Sequence, residues 1–448
     1  MSENHKGAIV NHSARSSDAA EFGWSILTRI REYPDLRGLT ALHPMTGIPG
    51  QYWDPLDLDH GDLGVALVFA GADELRPDDG WDRAALPYIS RAVDALPSHI
   101  RALGPDAMGL FGGAACVAYT LRSLSRFGER YQNAIAQVDS LMLDLVEAHL
   151  GSVPDEGPST DDYDIISGLA GPTRMLLQIP NIRGRSAAVL TASVSQLSRW
   201  AVMTDGYRTP PERITSLERE HQPDLHAGYI NLGYAHGICG VLATLAEAAN
   251  RQIGGALTRE AAQHVAETVV DSILEGANGP RLPFMSPTSP VSPQEGVGGT
   301  SRVGWCYGNV SAALALTSYL PISSQQLDTA ALIDCLWDSA TQTPPSSIDK
   351  NPSLCHGVAG LLLIQRHLSS YGGLTSSDSA ASAEVLAGRL LGMRDPQLLF
   401  GLRNQQRTLL DSPGFLTGSG GAAVALISWA ESSRLTMAEK LISGGPLC

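Results

Sequence analysis

Two kinds of segment alternate along the chain. Runs that are apolar almost all round each follow a Gly-x-x-Gly, beginning at Gly61, Gly109, Gly168, Gly237, Gly308, Gly357 and Gly418. They read HGDLGVALVFA, MGLFGGAACVAY, SGLAGPTRMLL, HGICGVLATLA, YGNVSAALAL, HGVAGLLLI and TGSGGAAVAL, and only the fifth breaks the pattern, with Ser311 in its last place. An apolar circumference predicts a buried helix. Between these runs, 186–202, 259–275, 324–340 and 380–393 carry apolar residues at helical spacing beside Arg, Glu, Asp and Gln, which predicts amphipathic helices. Successive glycine marks lie 48 to 71 residues apart, room for two helices and their loops. Self-similarity at such a period marks a repeat architecture.

Seven buried and seven amphipathic helices in alternation predict an all-α, double-walled ring. The inner helices start together at one end, so the residues written just before each glycine face one cavity. We expect residues 1–50 to form an N-terminal extension with the first outer helix, and 51–448 to form the seven-repeat domain. Pro, Gly and Ser clusters mark long loops at 205–228 and 280–304, and shorter ones at 151–162 and 343–353. Long ordered loops tend to carry function, and 280–304 ends just before a Trp-Cys pair, as a lid or a tether would. No strand pattern in 205–230 is clear enough to predict an inserted domain.

Composition agrees with this reading. Hydrophobic residues make up 43% of the chain but aromatics only 6%, which suits close-packed helices better than aromatic-rich strands. A formal net charge of −15 disfavours nucleic acid or an anionic membrane as partner and suits a cationic or neutral one. The first residues lack the apolar core of a secretory signal, so a cytoplasmic protein is expected. The most apolar stretch, 232–249, contains His236, Glu247 and three glycines and predicts a buried helix rather than a membrane span.

Six cysteines in a long chain without a signal suggest metal binding or catalysis rather than a disulfide framework. Cys306 stands two residues before Gly308, and the pair Cys355-His356 directly before Gly357. In the ring these three meet at neighbouring helix starts, a Cys2His set suited to one zinc ion with its fourth position open, as in catalytic sites. Cys116, Cys239 and Cys335 lie within helical runs and are expected in the core, while Cys448 is a terminal thiol. His236 holds the register of His356 without an adjacent cysteine, so it is expected to face the cavity as a proton donor or acceptor. His60 shares the register two to three repeats from the metal and is left unassigned.

The phrases YDIISGLAG, GYAHGICG, RVGWCYG, SLCHGVAG and GFLTGSGG, in this order over about residues 50 to 430, resemble the lanthionine synthetase C-like proteins. The resemblance implies an α/α-toroid with one catalytic zinc on Cys306, Cys355 and His356, and functional roles for Asp164, His236, Arg302 and Tyr307. It also implies an activity: adding cysteine thiols of a dehydrated ribosomal precursor peptide to dehydroalanine or dehydrobutyrine, to form lanthionine and methyllanthionine rings. A stand-alone member would work beside a separate dehydratase and a transporter, reaching the membrane only peripherally through such a complex. The family usually follows its tryptophan-cysteine phrase with Pro-Gly, whereas this chain has Val310-Ser311, so helix geometry there is open. Two alternatives stay open as well: a glutathione-adding relative, against which the low lysine count weighs, and a non-catalytic peptide-binding toroid.

Overall fold

The computed structural model describes residues 3–39, 41–42, 49–126, 128–221, 223–276, 279–288, 304–341, 351–372, 374, 379–404, 411–432 and 436–444. Its helices are α1 (Glu3–Glu32), α2 (Asp62–Leu75), α3 (Trp81–Leu103), α4 (Ala114–Ser123), α5 (Gln132–Leu150), α6 (Thr160–Tyr163), α7 (Ala170–Leu177), α8 (Gly184–Val202) and α9 (Ser216–His221). They continue as α10 (Ile238–Asn250), α11 (Gly255–Asp271), α12 (Asn309–Tyr319), α13 (Gln326–Thr341), α14 (Val358–Ser370), α15 (Ser379–Leu391), α16 (Ser419–Ala430) and α17 (Thr436–Ser443).

The seven apolar runs become α2, α4, α7, α10, α12, α14 and α16. Each packs on the next, and α16 returns to pack on α2, which closes the inner ring. Each also packs on one outer helix: α3, α5, α8, α11, α13 and α15 in turn, with α1 at the chain's start covering α16 at its end. This is an α/α-toroid. The apolar runs are what sequence pattern says they should be: from Leu63 to Ala70, and from Ala422 to Ile427, the hydrophobic side chains are at most 1% exposed. Burying each such Leu or Val contributes roughly 1.5–3 kcal/mol, so the inner wall supplies much of the driving force.

No side chain caps the inner helices. Glycine occupies the cap of α2, α4, α10, α12, α14 and α16, and the first helical turn folds back against the residues before it. A Cβ at Gly240 or Gly360 would overlap the carbonyl oxygen of Tyr234 or Leu354, six residues earlier. This close approach is the physical content of the second glycine of the motif. Ser311 solves the same problem differently, since its hydroxyl donates to the equivalent carbonyl, that of Trp305, at 2.9 Å. The cap there is also distinct, with Gly308 at φ +89°, a conformation that favours glycine. The family's Pro-Gly is thus replaced without loss of the helix start.

Three expectations are corrected. In the second repeat the cap is Gly113, not Gly109, because Gly109 plays the part of Gly233 and Gly414, four residues before the cap. The stretch 232–249 is not one helix, since α10 starts only at Ile238, after a short strand. Cys335 is exposed on the outward side of α13, whereas Cys116 and Cys239 are buried in inner helices as expected. Cys448 lies outside the described residues.

Strands are few. Tyr229–Asn231 pairs antiparallel with Met285–Pro287, extended by a bridge from Thr209 to Tyr229, and Leu274–Gly276 makes a hairpin with Gly279–Arg281. Ala41–Leu42 pairs with Pro49–Gly50. The first ribbon covers a small cluster of Ile214, Leu225 and Tyr229 at the edge of the ring, so part of the 205–230 loop is locally packed.

Inside the ring sits α17. Trp305 Nε1 donates to the carbonyl of Ile442 at 2.7 Å, Tyr234 Oη to that of Ser443 at 3.2 Å and Gln178 Nε2 to that of Lys440 at 3.3 Å, and Tyr119 Oη donates to that of Met437. Inner-wall residues from several repeats therefore hold the last helix, and the bonds to Ile442 and Ser443 satisfy carbonyls of its last turn. No described helix is long and apolar enough to cross a membrane.

Candidate active site

The residues before each inner helix form a belt of backbone hydrogen bonds. Phe415 N donates to Leu58 O (2.8 Å), Cys355 N to Leu416 O (3.0 Å), Cys306 N to Cys355 O (3.3 Å) and Tyr234 N to Cys306 O (2.9 Å). The belt goes on with Ile165 N to Ala235 O (3.1 Å) and Phe111 N to Ile166 O (3.2 Å). Each bond links one repeat to the next, so the belt fixes how side chains of successive repeats are placed relative to one another.

The third residue before each cap, such as Tyr234, Trp305 and Leu354, is buried, and of these positions Leu58 and Trp305 also border the cavity. The last two residues line a cavity of about 360 Å³: Asp59, Phe111 with Gly112, Ile166, Ala235 with His236, Cys306 with Tyr307, Cys355 with His356, and Leu416 with Thr417. All seven repeats contribute. A cavity of this size is within the usual range for small ligand sites.

On one wall the sulfurs of Cys306 and Cys355 and a ring nitrogen of His356 all lie within 4.8 Å of one another. Two thiols and an imidazole are a zinc donor set, bound at about 2.0–2.3 Å. Three donors would leave the fourth position of a bound zinc free for a ligand.

Beside them is His236, whose Nδ1 is 2.6 Å from Asp164 Oδ2. Asp164 is fully buried, and its other oxygen accepts the N–H groups of Ser167 and Gly168, each at 2.7 Å. The aspartate is thus both the turn-former at the start of the third repeat and the partner of the histidine. Burial pulls the His236 pKa down, but the hydrogen bond and negative charge of Asp164 outweigh it, and the net shift is upward. His236, not Asp164, reaches the cavity.

Tyr307 lines the cavity next to Cys306. Arg302 lies outside the described residues, as does most of the 280–304 loop expected to act as lid or tether. One cavity residue was not anticipated: Asp59, on the first repeat, holds the register of Cys306 and Cys355 and accepts the N–H of Thr417 at 2.7 Å. Burial, aided by the charge of Asp57, raises its pKa despite the bonds from Thr417. Its register was the signal that could have found it.

A model of the family described as lanthionine synthetase C-like protein matches residues 52–440. The chain belongs to the lanthionine synthetase C-like family. The nisin biosynthesis protein NisC of Lactococcus lactis subsp. lactis is 26% identical over 197 residues, 43% of this chain and 45% of that protein. The match therefore spans less than half the length of this relative. The solved structure of nisin cyclase aligns over 99% of this chain and 100% of its own, with a TM-score of 0.65 and 20% identity, and so shares the toroid. Cys306 and the Cys355-His356 pair of this lanthionine synthetase C-like chain stand at two neighbouring repeats of the belt.

Proposed function

We propose that this chain is a zinc-dependent cyclase that closes thioether rings in a ribosomally made precursor peptide whose Ser and Thr residues have been dehydrated. The observation that carries the reading is the convergence on one cavity of a Cys2His donor set and a histidine already paired with a buried carboxylate. A passive peptide-binding ring needs the fold but not that pair.

Zinc held by Cys306, Cys355 and His356 would favour the thiolate form of an entering cysteine, whose free pKa is near 8.5. The protein's own residues account for the rest. Sulfur bonds to the β-carbon of a dehydro residue, the double-bond pair moves onto the carbonyl oxygen, and the α-carbon then takes a proton. His236, charged with the help of Asp164, supplies that proton from within reach of the cavity. Tyr307 and Arg302 are assigned to the developing negative charge on oxygen.

A cytoplasmic setting, a separate dehydratase that supplies the substrate and a transporter that removes the product complete the reading. The net charge of −15 suits a cationic core peptide. The test uses a synthetic peptide carrying one dehydroalanine and one cysteine, with zinc-loaded protein and added glutathione. Loss of the alkylatable thiol without change of mass supports cyclisation. A glutathione adduct without ring closure points to the adding branch of the family, and an unreacted thiol that still binds points to a scaffold.

A further inference from the structure

The turns before the fourth and sixth inner helices are built alike. An asparagine stands six residues ahead of each cap glycine, Asn231 before Gly237 and Asn351 before Gly357. Each turns its side-chain oxygen back to accept the N–H two residues on, from Gly233 at 3.0 Å and from Ser353 at 2.9 Å. With Oδ1 committed as acceptor, the amide orientation is settled and Nδ2 is the donor end.

At Asn231 that donor crosses into the next repeat. Nδ2 meets the phenol oxygen of Tyr307 at 3.2 Å, and Asn231 is only 2% exposed, so water does not compete for the bond. The ring itself is clamped on two further sides. Phe284 packs on it with centroids 4.9 Å apart, and a Cβ on Gly233 would come within 2.5 Å of Tyr307 Cε1. Leu232 N donates to Phe284 O at 2.8 Å, which ties the two sides of the clamp into one piece. The phenol oxygen is thus met by a fixed, buried amide rather than by solvent.

We propose that Asn231 is a positioning residue for Tyr307: by occupying the phenol oxygen as donor, it directs the phenol hydrogen to the peptide carbonyl in the cavity. The inference rests on the cyclase reading and deepens it. As the sulfur–carbon bond forms and the π pair moves to the carbonyl oxygen, Tyr307 strengthens its hydrogen bond to that oxygen and keeps its proton. The α-carbon is protonated from elsewhere.

Asn231→Asp isolates the effect, because it keeps the oxygen that Gly233 needs and replaces the donor by an acceptor that draws the phenol hydrogen back. With the dehydroalanine-cysteine peptide, kcat should fall about tenfold or more toward that of Tyr307→Phe, since losing a donor to a developing oxyanion costs roughly 10²–10³. KM and zinc content should stay near wild type, and the double variant should be no slower than Tyr307→Phe. Wild-type kcat in Asn231→Asp, or losses that multiply in the double variant, would overturn the assignment. A readout without turnover separates the two claims. In ¹⁵N-asparagine-labelled protein the side-chain amide resonance of Asn231, identified by its absence in Asn231→Asp, should move in Tyr307→Phe. An unmoved resonance rejects the clamp whatever the activity, whereas a moved resonance in a chain that leaves the peptide thiol unreacted supports the clamp and rejects the cyclase reading.

Discussion

The amide of Cys306 donates to the carbonyl oxygen of Cys355 at 3.3 Å, so the two residues that would present sulfur to one metal ion are also joined through their backbones. Their separation is set by the belt rather than by two independent loops. Backbone pairing of this kind holds the donors close before any ion arrives, which lowers the reorganisation that binding must overcome.

One zinc per chain is therefore the expected content of the purified protein, and Cys306→Ala, Cys355→Ala and His356→Ala should each lose it. Elemental mass spectrometry of the four proteins decides the matter. A metal-free wild type would remove zinc from the mechanism, and retention in any one variant would remove that residue from the donor set. Circular dichroism should show the helices intact throughout, because the ring's core does not depend on the metal.

A residue with no donor atom should matter almost as much. Gly304 lies against the next repeat, where an added Cβ would come to 2.5 Å from His356 Cα, 2.9 Å from His356 Cβ and 3.0 Å from the carbonyl of Cys355. Gly304→Ala must push that strand of the belt away and widen the donor spacing. Overpacking of this kind costs about 1–3 kcal/mol. The variant should fold with a lowered melting temperature and release zinc to a chelator roughly 5- to 150-fold more readily, by the same energy. Unchanged zinc affinity would show that the belt tolerates the shift.

Much of this was legible beforehand, for reasons that differ between parts of the molecule. The inner helices were visible because a helix buried on all sides must be apolar on all sides, and the cavity because their starts repeat one register. The second repeat misled because MGLFGG offers two glycine frames, and only packing of Gly113 against Gly109 shows which one caps the helix. Asn231 could not be assigned from a single chain, since its role depends on a partner 76 residues away, and Asp59 was legible only through its register, its partner lying 358 residues away. The belt itself uses backbone atoms and leaves little trace in residue identity. The helix that fills the ring was hidden too, because α17 is short and the inner-wall donors to its carbonyls lie far away in sequence.

The His236–Asp164 pair predicts a pH profile. The folded pKa of the histidine is raised, so the pair's contribution to stability is present in full below the unfolded value near 6.5 and is lost as pH rises through the folded one. If His236 protonates the α-carbon, kcat falls on the alkaline side of that raised pKa. Asp164→Asn removes the charge that raises it and should move the alkaline limb to lower pH, while His236→Ala should cost about 10²–10⁴ in kcat and flatten the limb. An alkaline limb that stays in place in Asp164→Asn would assign the proton to another group.

Asp59 gives the same sign of pH dependence, but here the fold favours the neutral form instead of the charged one. Burial raises its pKa above the ordinary 3.8, so the folded chain holds the proton more tightly than the unfolded one, and stability is lost as pH rises from the unfolded value through the folded one. At neutral pH the carboxylate is a net cost in a cavity wall that also holds Asp57, Phe111, Ile166 and Leu416. Asp59→Asn keeps an oxygen for the N–H of Thr417 and removes the charge, so it should melt about 1–3 °C higher at pH 7, with the gain shrinking toward pH 4. A charge kept in a cavity wall against stability is the pattern expected of a functional group, and the same substitution should slow thiol consumption. A lower melting temperature at neutral pH would instead make Asp59 a structural tie between the first and last repeats, where its carbonyl already receives the hydroxyl of Ser412 at 2.7 Å.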